Sequence, residues 1–134
     1  MNKLKYLPVI LGALIASSTC TLAADFSFSF NWCSGSPEFS LKNVPKGTTK
    51  LKLNMIDHDY RNGYSHGGAV LDYTGKKKIE CGDFNSQNWY PPAPPSGHIH
   101  RYEFTIDLLD KDGTLLTSAK AQNQFGFGSI IADF

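Results

Sequence analysis

The sequence is sparing with most features that mark a functional class. It holds 3 cysteines and 2 methionines in 134 residues, and neither charge sign is in excess, with 13 basic against 12 acidic side chains. A near-neutral chain lacks the electrostatic footprint of a nucleic-acid or anionic-membrane binder, so no nucleic-acid partner is expected. No apolar run reaches the roughly 20 residues needed to cross a bilayer, which argues against a transmembrane anchor. There is no internal repeat and no linker. A hydrophobic content of 41% and an aromatic content of 13% exclude a disordered chain and point to one packed domain.

The first two dozen residues stand apart from that domain. Met1 to Lys5 carries two lysines, Tyr6 to Ala16 is almost unbroken apolar, and Ser17 to Ala24 is rich in small residues. This is the pattern of a secretory signal peptide with cleavage after Ala23 or Ala24. The expected division is a signal over 1–24 and a single domain over 25–134, exported to the periplasm or secreted. Without Lys3 and Lys5 the basic residues fall to 11 against 12 acidic ones, a net charge near −1. Cys20 leaves as well, and Cys33 and Cys81 remain. In an oxidising compartment two half-cystines most economically form one disulfide. Closing a loop of that length stabilises by at most about 4 kcal/mol in the chain-entropy model.

The remaining pattern is strand-like. Phe26, Phe28 and Phe30 alternate with polar residues, as do Leu51, Leu53 and Met55 with Lys50, Lys52 and Asn54, so each set shares one face of an extended segment. Gly68 to Tyr73 and Ile99 to Leu109 read as further strands, the latter with Tyr102, Phe104 and Ile106 on one face. Val44 to Gly47, the Lys76 to Lys78 run and Asp110 to Gly113 read as turns. Asp110 and Asp112 lack the downstream ligands of a calcium loop. Pro91, Pro92, Pro94 and Pro95 make Asn85 to Gly97 a rigid loop. Ser118 to Gln124 is expected to form the only helix, about two turns long, and Gly128 to Phe134 a closing strand.

Residues able to carry chemistry gather at strand ends: Asp57-His58-Asp59, His66, and His98-Ile99-His100-Arg101-Tyr102. Three readings fit these types. His98 and His100, two apart on a strand, share a side and could chelate Zn or Cu with His66 or Asp57. A His and an Asp could act as an acid–base pair in a hydrolase, though no Gly-x-Ser-x-Gly frame supplies a nucleophile. Imidazole N–H groups and a tyrosine hydroxyl could instead hold an anion, with a carboxylate fixing one tautomer.

Order and spacing then carry a resemblance. Cys33-Ser34-Gly35-Ser36-Pro37 with Val44-Pro45-Lys46-Gly47-Thr48, the Asp57-His58-Asp59 triplet, His66, and Tyr90 through Pro94-Pro95-Ser96-Gly97 to His100-Arg101-Tyr102 resemble successive signatures of the phosphatidylethanolamine-binding protein family, also called Raf kinase inhibitor-like proteins. The resemblance implies a mainly β fold, an antiparallel β-sandwich with at most one or two short helices, and an anion pocket for a phosphate or phosphorylated head group. Carried over by position, Asp57, His66, His100 and Tyr102 line that pocket, and backbone N–H groups around Ala93 complete it. No cofactor is implied. Family members also act on other proteins, so a protein target is an implied partner. Three departures stand out. His58 replaces the family's proline, Tyr60-Arg61 replaces Ala-Pro, and Gly67-Gly68 after His66 is expected to widen the pocket or loosen the strand start. The region after Leu109 is abbreviated, which implies reduced flanking helices.

Overall fold

Residues 24–85 and 88–127 are described by the computed structural model. They form seven strands: β1 (Ser27–Asn31), β2 (Glu38–Lys42), β3 (Lys50–Asp57), β4 (Tyr64–Asp72), β5 (Lys78–Ile79), β6 (Ile99–Leu109) and β7 (Leu115–Gly126). One sheet has the order β1-β2-β5 and the other β4-β3-β6-β7, and every pairing is antiparallel. There is no helix among the described residues.

The strict alternation of the sequence is what makes two layers. Phe28, Phe30, Phe39 and Leu41 from the smaller sheet meet Leu51, Leu53, Met55, Tyr102, Phe104, Ile106 and Leu108 from the larger one, all buried. Phe104 sits at the junction, edge-on to Phe30 with ring centroids 5.0 Å apart and to Phe39 at 4.9 Å. Edge-to-face pairs add about 0.5–1.5 kcal/mol each beyond the area they bury. The sheets are also tied at one margin, where Asn123 Nδ2 donates to Phe30 O at 3.0 Å and Trp32 Nε1 donates to Gln124 O.

The expected helix at Ser118 to Gln124 is instead the middle of β7. Its alanines, lysine and glutamines favour a helix in isolation. Yet Thr117, Ala119, Ala121, Asn123 and Phe125 are half-buried while Ser118, Lys120, Gln122 and Gln124 are exposed, a period of two that suits a strand laid along β6. The preceding turn sets this up. Asp110 Oδ1 accepts from the N–H groups of Asp112 and Thr114, and Gly113 turns with φ 78°, so the chain folds straight back into a hairpin. Lys78 likewise belongs to β5, paired with Ser40, and only Lys76 and Lys77 stay in the turn. The closing strand expected over Gly128 to Phe134, and the signal segment apart from Ala24, lie outside the described residues.

Cys33 and Cys81 are joined in a disulfide with Cα atoms 6.0 Å apart, as expected. The bridge is reinforced by the fully buried Ser36, whose N–H donates to Asn85 Oδ1, whose Oγ accepts from Phe84 N, and whose carbonyl accepts from Gly82 N. The turn after β1 is thereby fastened to the segment that leads into the proline loop.

Candidate functional site

The site grows from the end of β3. Alternation turns Leu51, Leu53, Met55 and then Asp57 toward the interior, so the last inward residue is a carboxylate only 3% exposed. Such a group must be hydrogen-bonded. Asp57 Oδ1 accepts from Asp59 N at 2.9 Å, and Oδ2 accepts from His100 Nδ1 at 2.7 Å. His100 enters from the start of β6, beside Tyr102, which pairs directly with Asp57.

His66 reaches the same place through a bulge. Met55 pairs with Gly67 and Ile56 with Ser65, leaving His66 as the extra residue on β4. Strict alternation would put His66 on the outer face, and the bulge turns it inward, where it is 7% exposed. Its Nδ1 lies 3.0 Å from Tyr90 O and its Nε2 3.9 Å from Asp57 Oδ2. The two glycines that follow neither loosen the strand nor leave empty space. A Cβ on Gly67 would sit 1.7 Å from Asn88 O, and one on Gly68 1.7 Å from Leu53 O. Gly67, with φ +75°, lets the segment around Trp89 bridge to β4, with Gly68 N donating to Asn88 O and Tyr90 N to His66 O. This contact presses the proline loop against the bulge and supplies the acceptor that orients His66.

A cleft of about 390 Å³ opens over these groups, lined by Asp57, Tyr60, Arg61, Tyr64, His66, Ala93, Pro95 and His100. Four of the five residues expected for the pocket are therefore in its wall. The fifth, Tyr102, lies beneath it: fully buried, its ring packs edge-on to His66 with centroids 5.5 Å apart and stacks on His100 at 6.3 Å. Its hydroxyl lies near the Asp57 carboxylate and the Ala93 amide but meets no described residue in hydrogen-bond geometry. Burial first, and the negative charge of Asp57 second, push its ionisation well above the ordinary phenol range, and the nearby Ala93 amide offsets only part of this. The phenol stays neutral.

The other histidines are elsewhere. His58 points to the outer face of the larger sheet, Nε2 3.5 Å from Glu103 Oε1. His98 is exposed, its ring edge-on to His100 at 6.4 Å. Among the described residues no group of three or more His, Cys, Asp or Glu side chains is placed to hold a metal ion. A second cleft of about 540 Å³ is bounded by Trp32, Trp89, Phe125, Phe127, Pro91 and Pro92. It is larger but lined by no ionisable group, and two further clefts, of about 520 and 220 Å³, are lined by lysines and aspartates but by no histidine.

Sequence reasoning missed the clamp that shapes the cleft's rim. Arg101 binds Asp59 through both arms, Nε to Oδ2 at 3.0 Å and a terminal nitrogen to Oδ1 at 2.8 Å, and its backbone N–H adds 2.7 Å to Oδ2. The guanidinium and that N–H lower the Asp59 pKa from 3.8 to about 2. A carboxylate depressed on folding contributes stability that is complete above its unfolded value and is lost as pH falls through its folded value. Wild type and Asp59→Asn should therefore differ in stability by a constant amount above pH 3.8, and the gap should close as pH falls toward 2. Acid titrations of both followed by circular dichroism would show this, and a gap that persists below pH 2 would contradict it.

Residues 12–129 match the phosphatidylethanolamine-binding protein family. The chain belongs to that family. Among solved structures it resembles E. coli YbcL, described as a member of the mammalian PEBP family, with a TM-score of 0.57 and 14% identity over 77% of this chain and 99% of that one. It also resembles CT736, a PEBP homologue from Chlamydia trachomatis, with a TM-score of 0.50 and 18% identity over 67% of this chain and 80% of the other. At these identities the likeness is one of fold, and the two-layered mainly β architecture agrees with it. No curated protein matches the chain.

Proposed function

We propose that this family member is an exported binding protein whose cleft takes up a phosphate group, free or on a head group, and that it modulates a protein target through that occupancy. The observation that carries the reading is the pair of imidazoles held in one orientation. Tyr90 O can only accept, so His66 Nδ1 carries a hydrogen; a carboxylate also accepts, so His100 Nδ1 does as well. Among the described residues neither Nε2 atom has a hydrogen-bond partner, and both residues line the cleft. The family name and the signal-like leader support the ligand class and the compartment.

This arrangement has a consequence for protons. A neutral imidazole with hydrogen on Nδ1 offers a lone pair at Nε2 and cannot donate to an anion. Each contact therefore needs one hydrogen on the line between Nε2 and the phosphate oxygen, carried by either atom. Calorimetric titration with inorganic phosphate in two buffers of different ionisation enthalpy should give different apparent enthalpies, because binding at Nε2 is coupled to proton exchange. Affinity in the millimolar to micromolar range is expected from charged hydrogen bonds contributing about 1.5–3 kcal/mol each. Equal enthalpies in the two buffers would contradict this mode of binding.

The Asp57–His100 pair also has the form of half a general-base apparatus. An acid–base or metal-dependent hydrolase is the alternative reading, for which the pair is the favouring observation. Ser65, the hydroxyl nearest His66 in sequence, is exposed and accepts from Gly67 N. Phosphate monoester or carboxylester turnover by the purified protein, with elemental analysis for Zn and Cu, decides between the two.

A further inference from the structure

We infer that Arg61 is a ligand-binding residue of the same cleft, supplying the permanent positive charge that its anion requires. The inference rests on the phosphate reading above. Of the eight residues in the wall, Asp57 is the one carboxylate and Arg61 the one cation that does not depend on pH. Without Arg61 the one fixed charge in the wall would be the buried carboxylate of Asp57, which repels an anion.

Arg61 is also the arginine available for this task. Arg101 is committed to Asp59 through two side-chain bonds. The Arg61 guanidinium forms no ion pair with any described carboxylate. It rests 5.1 Å from the centroid of the Tyr60 ring, and Tyr60 in turn packs edge-on to Tyr64, which packs edge-on to His66. The aromatic row leads from the guanidinium to the imidazole and leaves the planar fork of N–H donors facing solvent at the cleft wall. Such a fork matches two phosphate oxygens at once.

The backbone sets its place. Arg61 and Asn62 both adopt left-handed conformations, φ 49° and 59°, ahead of Gly63 at φ 114°. Positive φ at both central positions is the geometry of a tight hairpin turn, here between β3 and β4. Here the turn is closed by Gly63 N donating to Tyr60 O at 3.0 Å and anchored upstream by the Asp59–Arg101 clamp. The turn places Arg61 in the cleft wall.

The test uses the full mature protein and two probes, inorganic phosphate and O-phosphoethanolamine, followed by calorimetry and by the imidazole NMR signals of His66 and His100. Arg61→Gln should weaken phosphate binding by about 10- to 100-fold, while His66 and His100 still respond at higher concentration. Arg61→Lys, which keeps the charge but not the fork, should fall between wild type and Arg61→Gln. Raising the salt concentration should weaken wild type more than Arg61→Gln. Equal loss for both probes places Arg61 on the shared phosphate, whether it comes free or on a head group. An Arg61→Gln affinity within twofold of wild type, with both histidines responding, would overturn the inference and leave the phosphate reading standing. No response of the wild-type histidines to either probe would remove both. An unchanged melting temperature in Arg61→Gln excludes a folding effect.

Discussion

Gly67→Ala is expected to destabilise the protein by about 3 kcal/mol or more. Two costs add. A Cβ in the left-handed region costs about 1–2 kcal/mol on its own, and Gly67 has φ +75°. The new carbon would also sit 1.7 Å from Asn88 O, a backbone atom that no rotamer change can move. Relieving the overlap breaks the bridge to Trp89 and the bonds from Gly68 N to Asn88 O and from Tyr90 N to His66 O. Gly47→Ala is the control: its φ is +88° and nothing lies within 4 Å of the added carbon, so only the conformational cost applies. At about 4–8 °C per kcal/mol for a domain of this size, thermal melts should separate the two variants clearly. Because Tyr90 O is the acceptor for His66, the Gly67 variant should also bind phosphate more weakly at temperatures where it is folded. Equal melting temperatures for the two variants would contradict the account of the bulge.

The second large effect concerns the disulfide. Cys33→Ser with Cys81→Ser should lower stability by about 2–4 kcal/mol, most of it through the unfolded chain, whose loop is no longer closed. The sequence separation of 48 residues sets the upper end. The folded arrangement should survive, since Ser36 still bonds to Gly82, Phe84 and Asn85. Urea unfolding should therefore show a lower midpoint, with the His66 and His100 NMR signals of the folded state unchanged. A variant as stable as wild type, or shifted imidazole signals, would contradict this division of roles.

Much of this fold can be read from residue order because its strands alternate strictly. Phe26-Phe28-Phe30, Leu51-Leu53-Met55 and Tyr102-Phe104-Ile106 declare an inner face that packing then enforces, and all nine side chains are buried. β7 was hidden because its inner face, Thr117, Ala119, Ala121 and Asn123, carries no large apolar side chain before Phe125, its alanines, lysine and glutamines favour a helix, and the partner that overrides them, β6, is defined by tertiary pairing alone. The site divides the same way. Asp57, His66, His100 and Tyr102 announce themselves by type and order. That His66 faces inward depends on a bulge, and a one-residue change of register leaves no mark in composition. The Asp59–Arg101 clamp joins residues 42 apart, and only the sheet that sets β3 beside β6 brings them together. Tyr60 and Arg61 are visible as departures from the family pattern, but their place in the cleft wall follows from the left-handed turn at Arg61 and Asn62.

On the proposed reading the cleft works through a pair of imidazoles whose Nδ1 atoms are held by Tyr90 O and Asp57 and whose Nε2 atoms meet the anion. The measurement that bears on it most directly is an NMR titration of the four histidines with inorganic phosphate. The Nε2 resonances of His66 and His100 should move together, saturating in the millimolar range or below, while those of His58, on the outer face, and the exposed His98 change little. If all four histidines shift alike and without saturation, or if His66 and His100 alone stay still, the cleft is not the anion site.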